Sequence, residues 1–388
     1  MKLFILISSI TLLISCSKKE KNYTIINKKE ITIISNKNTP SNPEFKISLE
    51  KLFSIKGFDK YTNNDSINFE DISQLQIDKD NNIYISDSKS ATIRKFNYNG
   101  KFITSFGGKG QGPGEFTLFS NFIILNDTIV AIDNLNKIIK FSSSGEFICE
   151  KKFDKRKKIG EIEVINYSTI LSDISETEIK GKDFLNDRYL VRNIALLNND
   201  FIQNKGILNK SKASFKTIVE TDGGFFINHQ FCSNEENIYI AYRSKDQYKI
   251  DVFDLNYKKT KEINKFYRKI KYTDSELNYL KRDNNDPYFN IKYNYKVSII
   301  DIITDKKSNY LWVENIMNLD KNLVKFDIFK DGIYINSHNF IVDKDDFNPL
   351  RNRTQFYINN GRFYYYSKSK NELNVFNIHY INGSNTSK

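Results

Sequence analysis

The sequence predicts an all-β chain: a six-bladed β-propeller of four-stranded antiparallel blades, with a short helical insertion near residues 273–290. Three observations carry this expectation. The run Ile93-Arg94-Lys95-Phe96, followed by Asn99-Gly100-Lys101-Phe102-Ile103, recurs 45 residues later as Ile138-Ile139-Lys140-Phe141, followed by Ser144-Gly145-Glu146-Phe147-Ile148. A repeat of that length built from short β-type runs is the signature of a propeller blade. Thirty Phe and twenty-three Tyr stand against two Met and one Trp, the aromatic weighting of strands. Equivalent second-strand positions, Ile83, Ile129, Ile238, Leu311 and Phe363, lie 46, 109, 73 and 52 residues apart. The gap of 109 holds two repeats, and the gap of 73 holds one repeat plus an insertion.

In chain order, residues 72–77 form the inner strand of the first blade. Residues 83–85 form the second, 92–97 the third and 101–106 the fourth. The first turn is Asp78-Lys79-Asp80-Asn81-Asn82, and Asn99-Gly100 supplies the positive φ angles of a two-residue hairpin. The second blade spans 122–153, with 122–125 innermost. The third, between 162 and 208, has the weakest pattern, with strands at 168–171 and 189–197. The fourth uses 225–231, 237–242 and 248–255. In the insertion, Thr273-Asp274-Ser275-Glu276 reads as a helix start, Leu277 and Leu280 face one side, and Asp286-Pro287 stops it. The fifth blade uses 297–303, 310–313, 324–329 and 333–336; the sixth uses 355–358, 363–366 and 373–378. A ring of blades closes when an N-terminal strand completes the last one and removes its bare edge. Residues 45–49 and 52–55 are the candidates.

The N-terminus gives the address. Met1-Lys2 precedes an apolar stretch over 3–14 and then Ser15-Cys16, the pattern of a secretory signal. The stretch is too short to span a bilayer, which needs about 20 residues. Leu13-Ile14-Ser15-Cys16 resembles the bacterial lipobox, in which the cysteine is acylated and becomes the first mature residue. The resemblance implies a lipid anchor on Cys16, and two or more acyl chains hold a protein stably on a membrane. The polar run Ser17-Lys18-Lys19-Glu20-Lys21-Asn22 reads as a tether. Ser17, rather than Asp, resembles the outer-membrane-destined class. The expected organisation is a signal peptide over 1–15, a lipidated flexible tether over 16–43, the propeller over 44–382 and a disordered tail over 383–388. The expected location is the outer membrane, with the domain periplasmic or surface-exposed.

Within the first blade, Asn82-Ile83-Tyr84-Ile85-Ser86-Asp87, Ile93-Arg94-Lys95-Phe96, Gly100-Lys101-Phe102-Ile103 and Phe106-Gly107 resemble an NHL-type repeat. The following segment, 107–116, matches the loop linking one such repeat to the next. With the lipobox, the whole resembles the six-bladed β-propeller lipoproteins of the Bacteroidetes. That resemblance implies export and a propeller, and adds little about chemistry.

The net charge is +12. The lysines are scattered, which reads as a solvated surface. Basic propeller faces can bind nucleic acid, but an exported chain does not meet it. The partners expected are the membrane, through the lipid on Cys16, and an envelope protein, peptide or glycan ligand, with the chain a monomer and no nucleic acid bound. Cys149 and Cys232 fall in the second and fourth blades, which are not neighbours, so two separate packed thiols are expected. Neither has a Cys or His at zinc spacing.

Candidate site residues are few. Gly110-x-Gly112-x-Gly114 lacks the Gly-Lys-Ser/Thr of a phosphate loop, and Pro113 removes an N–H donor, so it reads as a connection between blades. His229, on a predicted inner strand, is the channel candidate for ligand binding. Ser73, Gln74, Gln76, Ser298 and Asp301 are the other polar residues of inner strands. Asp87 and Asp133 recur at one blade position, which suggests turn capping. His338 and His379 look incidental. No catalytic residue, metal set or cofactor is expected. The expected function is a lipid-anchored binding or scaffold module; the alternative is a channel-centred, metal-dependent hydrolase or lyase of the lactonase kind.

Overall fold

Short apolar strands joined by polar turns cannot bury both faces of a single meander, so the meanders stack face to face around a ring. The computed structural model shows this arrangement. It describes residues 21–57, 69–133, 137–152, 158–199, 201, 204–216, 229–282, 295–343, 346 and 356–382. Three strands precede the first complete blade: β1 (Tyr23–Lys28), β2 (Ile31–Asn36) and β3 (Lys46–Lys56). Blade one is β4 (Ile72–Ile77), β5 (Ile83–Asp87), β6 (Thr92–Phe96) and β7 (Phe102–Gly107). Blade two is β8 (Phe119–Leu125), β9 (Thr128–Asp133), β10 (Lys137–Ser142) and β11 (Phe147–Lys152). Blade three is β12 (Lys158–Asn166), β13 (Thr169–Ile179), β14 (Arg188–Leu197) and β15 (Asn204–Ser214). Blade four is β16 (His229–Ser233), β17 (Asn237–Tyr242), β18 (Tyr248–Asp254) and β19 (Lys259–Lys265). Helix α1 (Asp274–Arg282) follows, and then blade five, β20 (Asp301–Asp305), β21 (Tyr310–Asn318), β22 (Leu323–Lys330) and β23 (Ile333–Ile341). Blade six is β24 (Phe356–Asn359), β25 (Arg362–Ser367) and β26 (Glu372–Ile381), completed on its outside by β3.

The core is divided. Among the described residues it forms six apolar clusters, one at each junction between adjacent blades. Trp312 and Phe326 of blade five meet Phe356 and Phe363 of blade six, for example. Each middle strand therefore packs on both faces, which is why β5 and β9 are buried nearly throughout.

The ring closes as the sequence predicts, through β3 pairing antiparallel with β26. The segment before it differs from expectation. Where a flexible tether to residue 43 is expected, β1 and β2 form a hairpin, and β2 adds parallel to β19, making blade four a six-stranded sheet. Ile34 supplies the apolar contact and Asn36 the polar one. Asn36 Nδ2 donates to the carbonyls of Asn264 and Gly332, and its Oδ1 accepts from the Tyr334 amide at 2.9 Å.

The hairpin turn at Gly100 also differs. It is a three-residue loop closed by the Asn97 amide on the Lys101 carbonyl, with Gly100 at φ +82° and a bulge at Phe96. The Asn97 side chain accepts from the amides of Asn99 and Lys101, so one left-handed residue suffices where a two-residue turn needs two. The same closure recurs at Ser142–Glu146 and Asp254–Lys258.

Blade three owes its weak pattern to strand length. β13 and β14 have 11 and 10 residues, about twice those of β5 and β6, and their far ends run into solvent. Helix α1 begins as predicted with a capping box: the Thr273 amide donates to Glu276 Oε2 at 2.9 Å, and the Glu276 amide donates to Thr273 Oγ1 at 3.3 Å. Glu276 is buried and bound to Lys296 Nζ at 2.6 Å. The expected stop at Asp286-Pro287 lies outside the described residues, as do Cys16 and the lipobox. Cys232 is buried and Cys149 is exposed on β11, and the two are not bonded. The expectation that both are packed is corrected for Cys149, because the outermost strand of blade two faces solvent along its length. Among the described residues no helix is long and apolar enough to cross a membrane.

Candidate functional site

The inner strands β4, β8, β12, β16, β20 and β24 stand side by side around the axis and enclose a central cavity of about 250 Å³. Alternation along a strand decides which side chains reach it. Gln74 and Gln76 line the cavity with Leu75 buried between them; Glu161 and Glu163 flank the buried Ile162. Asn121, Asp301, Thr304 and Asn359 come from the other strands. Among the described residues the wall thus carries three carboxylates and several amides, interleaved with apolar side chains such as Phe231, Ile303 and Phe356.

The polar groups are organised in layers. With its amide nitrogen turned toward the carboxylates, the buried Gln230 donates to Asp301 Oδ1 at 3.0 Å and to Glu161 Oε2 at 3.3 Å, bridging β16 to both neighbouring inner strands. Behind this layer lie Arg243, 3% exposed, and Glu314, 2% exposed. Glu314 stands opposite Asp301 in the β20–β21 register. Burial and the charge of Asp301 push the Glu314 carboxyl up to about 8, against the pull of Arg243. Its Oε2 has no hydrogen-bond partner among the described residues. Burial draws the Arg243 guanidinium down, while the charges of Asp301, Glu161 and Glu314 hold it up. Deeper along the strands, Ser233 Oγ donates to Glu163 Oε1 at 2.9 Å, and Thr304 Oγ1 donates to the Ser233 carbonyl at 2.7 Å. The neighbouring Cys232 thiol is pushed well up by burial and by the charges of Glu163 and Asp301, which keeps it unreactive.

Two cavity residues also stitch the ring. Gln74 Oε1 accepts from the Phe122 amide at 2.8 Å, and Asn121 Nδ2 donates to the Gly160 carbonyl at 2.6 Å. Each ties one inner strand to the next.

His229 opens β16, but it is not among the residues lining the cavity; its ring lies edge-on against Tyr242, with centroids 4.8 Å apart. Of the other inner-strand residues singled out by sequence, Gln74, Gln76 and Asp301 line the cavity. Ser73 instead hydrogen-bonds with Ser86, and Ser298 donates to the Gln247 carbonyl. Asp87 and Asp133 cap turns. Asp87 accepts from the amides of Glu70 and Asp71, and Asp133 from those of Thr117 and Leu118, in each case just before an inner strand. The glycine-rich connection folds onto Glu115, whose Oε2 accepts from the Gly112 amide. His338 packs near Trp312, and His379 Nε2 lies 3.0 Å from Glu50.

Glu161, Gln230, Arg243 and Glu314 escaped the sequence reading. The available signal was the acid–apolar–acid alternation Glu161-Ile162-Glu163 on an inner strand, obscured by the irregular third blade. Among the described residues, no three His, Cys, Asp or Glu side chains are grouped so as to hold a metal ion. With Glu161, Glu163 and Asp301 set against one lysine, Lys306, the wall carries an excess of acceptors, suited to a ligand group rich in N–H or O–H donors.

A family described as "6-bladed beta-propeller" matches residues 17–293. No curated protein matches the sequence. Among solved structures, the chain is similar to an exported protein from Bacteroides fragilis, with 14% identity, covering 90% of this chain and 99% of that one at a TM-score of 0.50. At that identity the likeness shows the fold alone. Virginiamycin B lyase from Staphylococcus aureus is similar at 13% identity, covering 86% of this chain and 99% of that one, with a TM-score of 0.43.

Proposed function

This chain belongs to the 6-bladed beta-propeller family, and on that premise we propose that it is a lipid-anchored envelope protein that binds a protein, peptide or glycan through the central cavity of its ring. The observation that carries the reading is the cavity wall, where Glu161, Glu163 and Asp301 converge from two blades with Gln74, Gln76 and Asn359 from two others. Such a wall suits one amine-bearing side chain or one sugar unit at the tip of a larger ligand. The anchor is Cys16 within Leu13-Ile14-Ser15-Cys16, and the outer membrane is its place. The description of the Bacteroides fragilis protein as exported supports the export part of this reading.

A second reading, a channel-centred hydrolase or lyase, is favoured by one feature. Asp301 and Glu314 are neighbouring carboxyls, one of them held protonated near neutral pH, and such pairs serve acid–base chemistry. The test is a thermal-shift and glycan- and peptide-array screen of the full chain in detergent, beside its Asp301→Asn and Glu161→Gln variants. Binding lost in both folded variants, without turnover of the bound compound, is expected. A compound consumed by the protein, with consumption lost in Glu314→Gln, would replace binding by catalysis.

A further inference from the structure

The N-terminal hairpin shortens the reach of the anchor. A tether from Cys16 to residue 44 would allow excursions of about 100 Å, at 3.3–3.6 Å per extended residue. In the structure the chain is fixed in a sheet from Tyr23 onward, so at most about 25 Å of chain separates Cys16 from the sheet. The strand held this close is β1, the outermost strand of the six-stranded sheet. Among the described residues no strand pairs with its outer side, and it carries two adjacent exposed isoleucines, Ile25 at 52% and Ile26 at 57%, which point to opposite faces of the strand. Between residues 18 and 29 there are five lysines and one glutamate. At the hairpin's tip, Glu30 is bound to Lys258 at 2.7 Å, while Lys28 and Lys29 are exposed. Apolar side chains flanked by lysines fit the interface of an anionic bilayer.

We propose that the β1 edge of blade four lies against the lipid bilayer, so that the ring stands on its rim with the channel axis along the membrane plane. The proposal rests on the reading of Cys16 as lipid-bearing. Its consequence is that both mouths of the channel open sideways, clear of the lipid, where a soluble or surface-borne ligand can enter. Blade one is opposite blade four in a ring of six, so its outer strand β7, with the exposed Ser105, points away from the membrane.

The test uses the full-length lipidated chain in phosphatidylglycerol–phosphatidylethanolamine vesicles, in a Cys149→Ser background. A fluorophore is placed at Ile26→Cys or at Ser105→Cys, with a quencher on the lipid headgroup. Unfolding midpoints confirm that each labelled protein is folded, and mass spectrometry of the N-terminal peptide reports acylation. Several-fold stronger quenching at position 26 than at 105 is expected, and a flexible Gly-Ser insertion after Lys21 should abolish the difference. Equal quenching on an acylated protein overturns the proposal and leaves the lipid reading intact. An unacylated Cys16 removes both. Cross-linking of position 26 to a second copy, without quenching, overturns the proposal in favour of edge-to-edge pairing.

Discussion

β3 and the β1–β2 hairpin come from one short N-terminal stretch, and both add strands to the outside of a blade, yet they are held by different forces. β3 pairs antiparallel with β26 over ten positions, from Glu372↔Lys56 to Ile381↔Lys46. With it go the buried Ile55 and, just ahead, Phe45, which packs against Tyr310 and Tyr380. β2 pairs parallel with β19 over five positions, from Lys261↔Thr32 to Lys265↔Asn36. It buries one apolar residue, Ile34, and one polar one, Asn36. The difference follows from what each strand completes. Blade six has three strands without β3, so its junctions with blades five and one lack part of their core. Blade four already has four strands, and the hairpin covers a surface that would otherwise be tolerably wet.

Four substitutions sharpen this comparison, each read as a shift in the urea unfolding midpoint of the folded chain. Phe45→Ala removes a side chain that is 2% exposed at the seam and should cost about 3–5 kcal/mol. Asn36→Ala leaves the Gly332 and Asn264 carbonyls and the Tyr334 amide short of a partner, at about 1–3 kcal/mol for unsatisfied buried groups. A loss as large as that of Phe45→Ala would mean the hairpin is as integral as the seam. Gly100→Ala should cost about 1–2 kcal/mol, because φ is +82° and the added Cβ would stand 2.7 Å from the Phe53 ring of β3. If Phe53→Ala does not relieve part of that loss, the turn is not coupled to the closing strand. Ile26→Ser, on the outermost strand, should change stability by less than about 0.5 kcal/mol. A larger effect would mean that β1 contributes to the fold itself.

Much of the ring was legible in the sequence because its determinants are local. Gly100 and Gly145 mark outer hairpins since each adopts a positive φ that other residues adopt reluctantly. Asp87 and Asp133 recur because each caps two amides only 15 to 17 residues away. The helix start at Thr273 was readable because a capping box is complete within four residues. The tether expectation failed at β1 and β2 because Asn36 finds its partners 228 to 298 residues away. Nothing near Asn36 in the chain announces such partners.

The cavity divides in the same way. Gln74, Gln76 and Asp301 could be picked out because each is a polar residue on a strand that the blade pattern places innermost, whereas Ser73 and Ser298, chosen on the same ground, turn to other partners. Arg243 and Glu314 could not, since their importance arises where blades three, four and five meet around the axis. The sequence by itself determined the blade count, the turn positions, the closing strand and the helix cap, all of which depend on periodicity and short-range hydrogen bonds. Only the tertiary structure decided that the hairpin joins blade four and that the carboxylates converge on one cavity. Both outcomes depend on the angular position of each blade in the closed ring, which sequence spacing does not encode.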